Sequence, residues 1–223
     1  MTYAKNSNKP AAWTASSLDM FRTCPYKFYR QRVAKDVKDT LSEQAQWGIK
    51  VHKSFEDAVN YGIPLPEGCR QWQPLADKIK AFPGEKLPEF RFSISDAYLP
   101  VKWGEAWSRG QADLVVRHGS TAVIFDYKTG KRKPSDQLAL YAGYAFAYWP
   151  ELKTVHTAYV WLRDKQFDRR KYTREDIPTI WGLWLPTVER LRRAHEKNDW
   201  PKHPCGLCRK WCPVKDCIYC GEE

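Results

Sequence analysis

Two aspartates and a lysine, Asp113, Asp126 and Lys128, have types and spacing suited to catalysis. Both aspartates lie in apolar segments, residues 110–117 and 121–128, whose pattern predicts β-strands. Carboxylates on neighbouring strands can share one divalent cation, which removes their mutual repulsion. Because Asp126 and Lys128 are two residues apart, they point to the same side of a strand. A bound cation could activate water against a phosphodiester, while the lysine orients that water or stabilises developing charge.

A two-residue turn at residues 119–120 is expected to set the register between these strands, its glycine supplying the positive φ of a type II′ turn. This register places Asp113 directly opposite Asp126, and Gln111 opposite Lys128. Side chains opposed in this way have Cβ atoms about 5 Å apart. Apolar residues flank the acids on both faces, so we expect the hairpin to lie in the interior.

The surrounding pattern predicts a mixed central sheet flanked by helices, which is an α/β fold. Ser16 or Ser17 is expected to cap the first helix, with Pro25 dividing it, and Pro186 to interrupt the last. We expect a loose N-terminus at residues 1–13, one main domain at residues 14–200 and a cysteine-rich segment at residues 201–223. Helices are predicted near residues 18–28, 41–61, 75–82, 136–149 and 177–196, and strands near residues 90–94, 110–117, 121–128 and 155–162.

The composition bounds the class of protein. A chain of 223 residues that is 43% hydrophobic suits one sizeable globular domain with small appendages. Its net charge of +11 predicts attraction to polyanions, with nucleic acid as the first partner to consider. An excess of basic residues can also do no more than keep a protein soluble. The sequence shows neither a signal-peptide core nor an apolar run of about 18 residues, so we expect a cytoplasmic protein that does not bind membranes.

The cysteines predict a metal centre. Five of the seven lie between Cys205 and Cys220, and in a reducing compartment such crowding favours metal ligation over disulfides. Two ligand sets remain open at this point. One is a zinc site in the pattern CxxC-x8-CxxC, and the other is a [4Fe-4S] site that adds Cys24 to three of the clustered cysteines. Cys69 stands apart and is expected to be structural.

Several segments, taken together and in this order, resemble the motifs of a known family. The chain carries GQADLVV followed by IFDYKTGK, which resemble motifs II and III of the PD-(D/E)XK nucleases in their RecB-like branch. QLALY, with Gln137 and Tyr141, is similar to the Q-x-x-x-Y signature of that branch. WGIKVH, ending at His52, is similar to its G-x-x-x-H motif. The N-terminal run TASSLDMFRTCPYKFYRQRV extends the likeness. One departure is that the acid of motif III is Asp126 rather than the commoner glutamate.

The resemblance implies a restriction-endonuclease-like fold and a dependence on Mg²⁺ or Mn²⁺. It implies that His52, Asp113 and Asp126 surround the metal with the backbone of Tyr127, and that Lys128 is catalytic. Gln137 and Tyr141 would hold the DNA backbone or the catalytic segment. Glu89 is either a further acid of the site or an ordinary glutamate at the start of a strand.

The cysteines resemble those of iron–sulfur nucleases in the same branch, including CRISPR-associated and AddB-type enzymes. In these enzymes one cysteine precedes the nuclease core and three follow it. The resemblance implies a [4Fe-4S] cluster that joins the N- and C-terminal helical ends, although the spacing departs from the family's CxxC-x5-C. The ligands chosen on this basis are Cys24, Cys208, Cys212 and Cys217, with Cys205 and Cys220 as competitors and Zn²⁺ as the alternative metal.

The function expected from these features is hydrolysis of DNA by a divalent-metal-dependent exonuclease, acting on single strands or DNA ends. Its setting would be recombination, repair or phage DNA processing, in a bacterial or phage-encoded system. Recombination or helicase proteins are candidate partners, and oligomerisation is left open. The alternative is a catalytically idle DNA-binding or assembly subunit that keeps the nuclease fold as a scaffold.

Overall fold

The computed structural model of the protein describes residues 11–38, 42–133 and 135–220. The chain divides into two compact units, one formed by residues 41–183 and the other by its two ends, residues 1–40 and 184–223. This division differs from the predicted boundary at residue 200, because the last long helix groups with the N-terminal segment. The predicted loose stretch, residues 1–13, lies largely outside the described residues, and Trp13 within it is buried.

The central unit contains a mixed five-stranded sheet with the strand order β1-β2-β3-β4-β5. Strands β3 and β4 are parallel, and the other neighbouring pairs are antiparallel. A parallel pair needs a crossover connection, which here contains a helix. This mixed sheet between helices confirms the predicted α/β class. The strands are β1 (Glu85–Ile94), β2 (Ser108–His118), β3 (Thr121–Lys128), β4 (Thr154–Trp161) and β5 (Gln166–Thr173).

Helices cover both faces of the sheet. Helices α3 (Glu43–Tyr61) and α4 (Gln73–Lys80) share one core cluster with Leu114 and Phe125 of the sheet. The crossover helix α5 (Gln137–Tyr148) packs on the other face, where Tyr144 stacks on Phe92 of β1. Residues 138–146 of α5 are all buried, so this helix has no polar face over that stretch. The unit ends with the short helix α6 (Ile177–Gly182).

Strand β5 was not predicted from the sequence. Its residues QFDRRKYT carry several charges and lack the apolar alternation by which a half-buried strand is recognised. The charges suit its position, because β5 pairs only with β4 and forms an edge of the sheet. Charged side chains on an edge strand discourage pairing with other chains.

The hairpin of β2 and β3 has the predicted register near its turn. The ladder runs from the pair Leu114–Phe125 to the pair that closes the turn, His118–Thr121. Gly119 has φ 56°, as the predicted turn requires. The apolar residues of these pairs are buried except for Val123, which is partly buried, and this confirms that the hairpin lies in the interior.

The predicted opposition of Asp113 with Asp126, and of Gln111 with Lys128, is not formed. The ladder between β2 and β3 stops at residues 114 and 125, so it reaches neither pair. Gln111 pairs across to β1, and Lys128 pairs with β4. The cause is an irregularity in β2, which the sequence pattern does not reveal.

Strand β2 loses its side-chain alternation at Asp113. Residues four apart in a regular strand face the same side of the sheet. Positions 110 and 114 nevertheless face opposite sides. A side chain at Gly110 would contact Tyr144 of α5, whereas Leu114 packs in the cluster that contains α3. Asp113 and Glu89, its neighbour on β1, are missing from the ladder, and Glu89 has φ 48°. The irregularity frees the Asp113 carboxylate to contact elements other than β1.

The helix boundaries follow local capping. The Ser42 side chain accepts a hydrogen bond from the Ala45 N–H at the start of α3, and Gly62 ends the helix with φ 71°. The predicted cap of the first helix at Ser16 or Ser17 is wrong. Thr14 is the cap, because its hydroxyl accepts the Ser17 N–H while the Ser17 hydroxyl accepts the Thr14 N–H.

The second unit joins the two ends of the chain. Pro25 divides the first helical segment as predicted, giving α1 (Ala15–Thr23) and α2 (Pro25–Phe28). Pro186 lies in the first turn of α7 (Leu185–Lys197), where a proline is tolerated. Trp13 stacks on Trp184 at 6.2 Å between ring centroids, and Arg22 donates to the Thr187 hydroxyl. None of the described helices has the length and apolar character needed to cross a membrane.

Candidate active site

Asp113 is held by two elements at the irregular point of β2. Its Oδ2 accepts a hydrogen bond of 2.5 Å from the Tyr127 N–H of β3. Its Oδ1 lies 3.2 Å from Nδ1 of His52, which projects from α3. The Asp113 carboxylate therefore connects β2, β3 and α3. His52 is about a third exposed, so this side of the carboxylate faces an open cleft.

Asp126 lies near the end of β3 and is almost completely buried, with 3% of its surface exposed. Its Oδ2 lies 2.5 Å from Nζ of Lys128, which confirms that the two side chains share a side of the strand. The Lys128 ammonium also lies 5.3 Å from the centre of the Tyr159 ring on β4. The lysine is thus positioned between a buried carboxylate and an aromatic face.

Gln137 and Tyr141 support the acids from α5. The Tyr141 hydroxyl lies 3.2 Å from Oδ1 of Asp126 and 2.6 Å from the Gln111 carbonyl oxygen, and its single proton can serve one of them at a time. The Gln137 amide donates to the same hydroxyl at 2.6 Å. These contacts place Gln137 and Tyr141 beside the catalytic strands.

Glu89 lies on the rim of the site rather than at its centre. Its carboxylate accepts a hydrogen bond from the Gln111 side chain. Both residues line an open cleft of about 740 Å³ together with His52, Glu56 and Arg91. Gln111 was not predicted as a site residue, although its position two residues before Asp113 was a signal that could have identified it.

The buried charges shift one another's pKa values. Burial raises the pKa of Asp126 to about 6; the Lys128 ammonium opposes this shift and the Asp113 carboxylate adds to it. Burial lowers the pKa of His52, but the hydrogen bond to Asp113 and the nearby carboxylate charges outweigh it, so the pKa is raised overall. Burial also raises the pKa of Glu89. The site thus contains two carboxylates, Asp126 and Glu89, whose charged forms are disfavoured mainly by burial.

The donor set suits a hard divalent cation. Two carboxylates and one imidazole surround the position, and Mg²⁺ and Mn²⁺ favour oxygen ligands. Oδ2 of Asp126 is buried beside the Lys128 ammonium, and no other described residue donates a hydrogen bond to it. The donor atoms of these residues are therefore of the kinds that bind Mg²⁺ or Mn²⁺. In the part of the chain that the structure describes, no three His, Cys, Asp or Glu side chains are already arranged to hold a metal.

Five of the six cysteines of the second unit line one cavity. Cys24 lines it together with Lys27 and Lys202, and Cys205 Sγ lies 3.9 Å from Cys208 Sγ. Cys220 is not part of the lining and contacts the Cys212 carbonyl oxygen. Cys69 is buried in the core of the central unit, as expected for a structural residue. The cysteines that line the cavity are Cys24, Cys205, Cys208, Cys212 and Cys217.

Solved structures with a similar fold have low sequence identity to this chain. The structure is similar to that of a "Putative exonuclease" from Eubacterium rectale, with a TM-score of 0.50 and 12% identity over 93% of this chain and 97% of that one. It is also similar to SSO0001, with a TM-score of 0.49 and 14% identity over 98% of this chain and 90% of that one. No curated protein matches the sequence.

The decisive match is to a sequence family. The model of the PD-(D/E)XK nuclease superfamily matches residues 12–217, a range that includes the hairpin, its supporting helices and most of the cysteine segment. Members of this superfamily are hydrolases that act on nucleic acid. With the acids and the lysine gathered on β2 and β3, the chain belongs to the PD-(D/E)XK nuclease superfamily.

Proposed function

We propose that this protein is a deoxyribonuclease that requires Mg²⁺ or Mn²⁺ and digests DNA from single-stranded or duplex ends. The observation that carries the proposal is the grouping of Asp113, Asp126 and Lys128 at one point of the sheet, with His52 beside them. Asp126 is buried with a raised pKa, and perturbed carboxylates of this kind are more frequent at functional sites than elsewhere.

Each side chain has a role in this proposal. Asp113 and Asp126 would hold the metal with His52 and the Tyr127 backbone, and a metal bound there would supply an activated water and neutralise the scissile phosphate. The Lys128 ammonium leaves Oδ2 of Asp126 and orients the water or stabilises the charge that develops on the phosphate. Tyr141 fixes Asp126 from the side of α5.

The test compares Asp126→Ala with Asp164→Ala on labelled DNA in Mn²⁺ and in EDTA. Asp164 is an exposed aspartate between β4 and β5, so its loss changes the net charge equally without touching the site. The wild type and Asp164→Ala should digest DNA only with the metal, and Asp126→Ala should lose at least about 10²-fold in rate. If the wild type leaves every substrate intact, the enzyme proposal fails and the idle scaffold replaces it.

The preference for ends needs its own experiment. An exonuclease digests a linear single strand and leaves the circular form of the same sequence intact. The structural neighbour named as an exonuclease and the basic net charge of +11 support this part of the proposal. Rapid nicking of the circle would reassign the protein as an endonuclease. Recombination, repair or phage DNA processing are the settings we propose for such an activity.

We also propose that the cysteine cavity holds a [4Fe-4S] cluster with a structural role. The cavity walls come from both ends of the chain, and they provide more thiols than the four that a cluster needs. Thiolates are poor ligands for Mg²⁺, so this centre is separate from the catalytic chemistry. Cys24→Ser should lose the brown colour and bound iron, whereas Cys69→Ser removes a thiol elsewhere and should keep both. Bound zinc without iron in the wild type would favour the alternative metal.

A further inference from the structure

Two arginines share one aromatic ring at the end of the active-site cleft. The guanidinium carbon of Arg91 lies 5.5 Å from the centre of the Trp103 ring, and that of Arg109 lies 5.0 Å from it. Trp103 begins a short 3₁₀ turn between β1 and β2 and is 40% exposed. Stacking on a ring holds a planar guanidinium in place and leaves its N–H groups free to donate at the edge.

The sheet register places both arginines on the same face. Arg91 of β1 pairs with Gln111 of β2, and Ser93 of β1 pairs with Arg109. Arg91 and Arg109 are therefore diagonal neighbours on adjacent strands, a separation that long side chains span. Two like charges are thus held close to each other on a surface, which costs free energy unless an anion compensates them.

The described residues of the central unit supply no such anion. Over residues 42–133 and 135–183, neither Arg91 nor Arg109 forms an ion pair with a carboxylate at 4.0 Å or less. The Arg109 Nε is buried and has no hydrogen-bond partner. Arg117, further along β2, shows the contrast, because it pairs with both Glu85 and Glu151. The exposed Arg91 and the half-buried Arg109 thus keep guanidinium charges that no carboxylate of these residues neutralises, which suits them to bind an anion from outside the chain.

This arginine pair continues the catalytic cleft. Arg91 lines the same cleft as His52, Glu89 and Gln111. Arg109 precedes Asp113 by four residues on β2, which corresponds to roughly 13 Å along a strand. A nucleic-acid strand whose scissile phosphate lies at Asp113 could therefore place a later phosphate at the arginines.

We propose that Arg91 and Arg109, held by Trp103, form a phosphate-binding subsite for the part of the DNA strand that extends beyond the scissile position. The proposal rests on the nuclease function proposed above and adds to it a requirement for a polynucleotide chain. The subsite contacts the backbone rather than the bases, so it contributes affinity without sequence preference. The arginines are positioning residues, because they do not contact the reacting phosphate.

The test replaces both arginines together, as Arg91→Gln with Arg109→Gln. The matched control, Arg70→Gln with Arg163→Gln, removes two exposed arginines outside the cleft. With a single-stranded 12-mer, the subsite variant should raise KM about tenfold and leave kcat within about twofold, because only binding of the strand is lost. The slope of log K against log[salt] should become shallower by about 1.4, the value for two lost phosphate contacts on a single strand. The control variant should keep the KM and the slope of the wild type.

Further variants separate binding from packing. Trp103→Phe keeps a ring and should retain most of the affinity, whereas Trp103→Ala should weaken binding as the arginine pair does. If the arginines only stabilise the loop, the variants will lower the unfolding temperature and leave the salt slope unchanged, which overturns the proposal. Binding of the 12-mer measured in EDTA tests the subsite even if the wild type proves inactive. If the wild type is active and the double arginine variant has an unaltered KM, the subsite proposal fails and the proposed nuclease function stands.

Discussion

At the scale of single residues, the buried Asp126 links the stability of the protein to pH. Its folded pKa of about 6 lies above the ordinary value of 3.8, so the native state holds the proton more tightly than the unfolded chain does. The resulting stabilisation is fully present below about pH 4 and is lost as the pH rises through 6. In EDTA, Asp126→Asn should therefore raise the free energy of unfolding at pH 8 by up to about 3 kcal/mol. Denaturant titrations at pH 4.5 and 8 measure this gain, which should fall to about 1 kcal/mol at the lower pH, because the unfolded aspartate is still mostly ionised there.

The Tyr141 hydroxyl gives a second prediction, in which catalysis and stability separate. Tyr141→Phe leaves Asp126 without its hydroxyl contact and should lower kcat about tenfold, as for a residue that orients a metal ligand. Tyr148→Phe is the matched control, because its hydroxyl also bridges α5 to the sheet but contacts Ser93. Both variants should lose about 1–3 kcal/mol of stability. An equal fall of kcat in the two variants would show that Tyr141 has no specific role in orienting Asp126 for catalysis.

The sequence alone indicated most of the residues that the structure brings together in the candidate site. Asp126 and Lys128 could be placed together because residues two apart on a strand share a side. The contact of Asp113 with the Tyr127 N–H could not be predicted, because it depends on an irregular strand. Gln111 was overlooked because a glutamine in a strand is not distinguished by its type; its role follows from its contacts with Glu89 and Tyr141.

At the scale of elements, the register near the turn was predictable and its continuation was not. Alternation and turn chemistry both indicate the pairing from Leu114 to His118. The irregularity at Asp113 leaves the apparent alternation of the sequence intact, so only three-dimensional packing reveals it. β5 was missed for a different reason: an edge strand that carries charges has little apolar pattern.

The packing of α5 on the sheet gives a third prediction. A Cβ at Gly110 would lie 2.6 Å from a ring carbon of Tyr144, closer than atoms can approach without a shift. Gly110→Ala should therefore cost about 1–3 kcal/mol of stability, as overpacking of a core does. Gly104→Ala is the control, because its added methyl group would meet nothing within 4 Å. Thermal unfolding of the two variants checks the difference, and equal midpoints would contradict the close contact.

At the scale of the whole molecule, the two units should respond differently to loss of the metal that we propose the cysteines bind. Residues 201–220 contain turns but neither helix nor strand, so few of their own backbone hydrogen bonds hold them. After iron is removed, hydrogen exchange should accelerate in residues 11–38 and 184–220, while residues 42–133 keep their protection. Exchange followed by mass spectrometry measures both regions in one sample. Equal acceleration in the central unit would contradict a local structural role for the metal.

The close approach of Gly110 to Tyr144 also constrains how the chain can diverge. Neither position is free to vary on its own, since a larger residue at 110 is tolerated only after the ring at 144 has been reduced. The Tyr144 hydroxyl in turn contacts Ser108 and the Arg109 carbonyl oxygen, so shrinking the ring first removes those contacts as well. Either order of substitution passes through a weakened intermediate. Related sequences should therefore change these two positions jointly or leave both untouched.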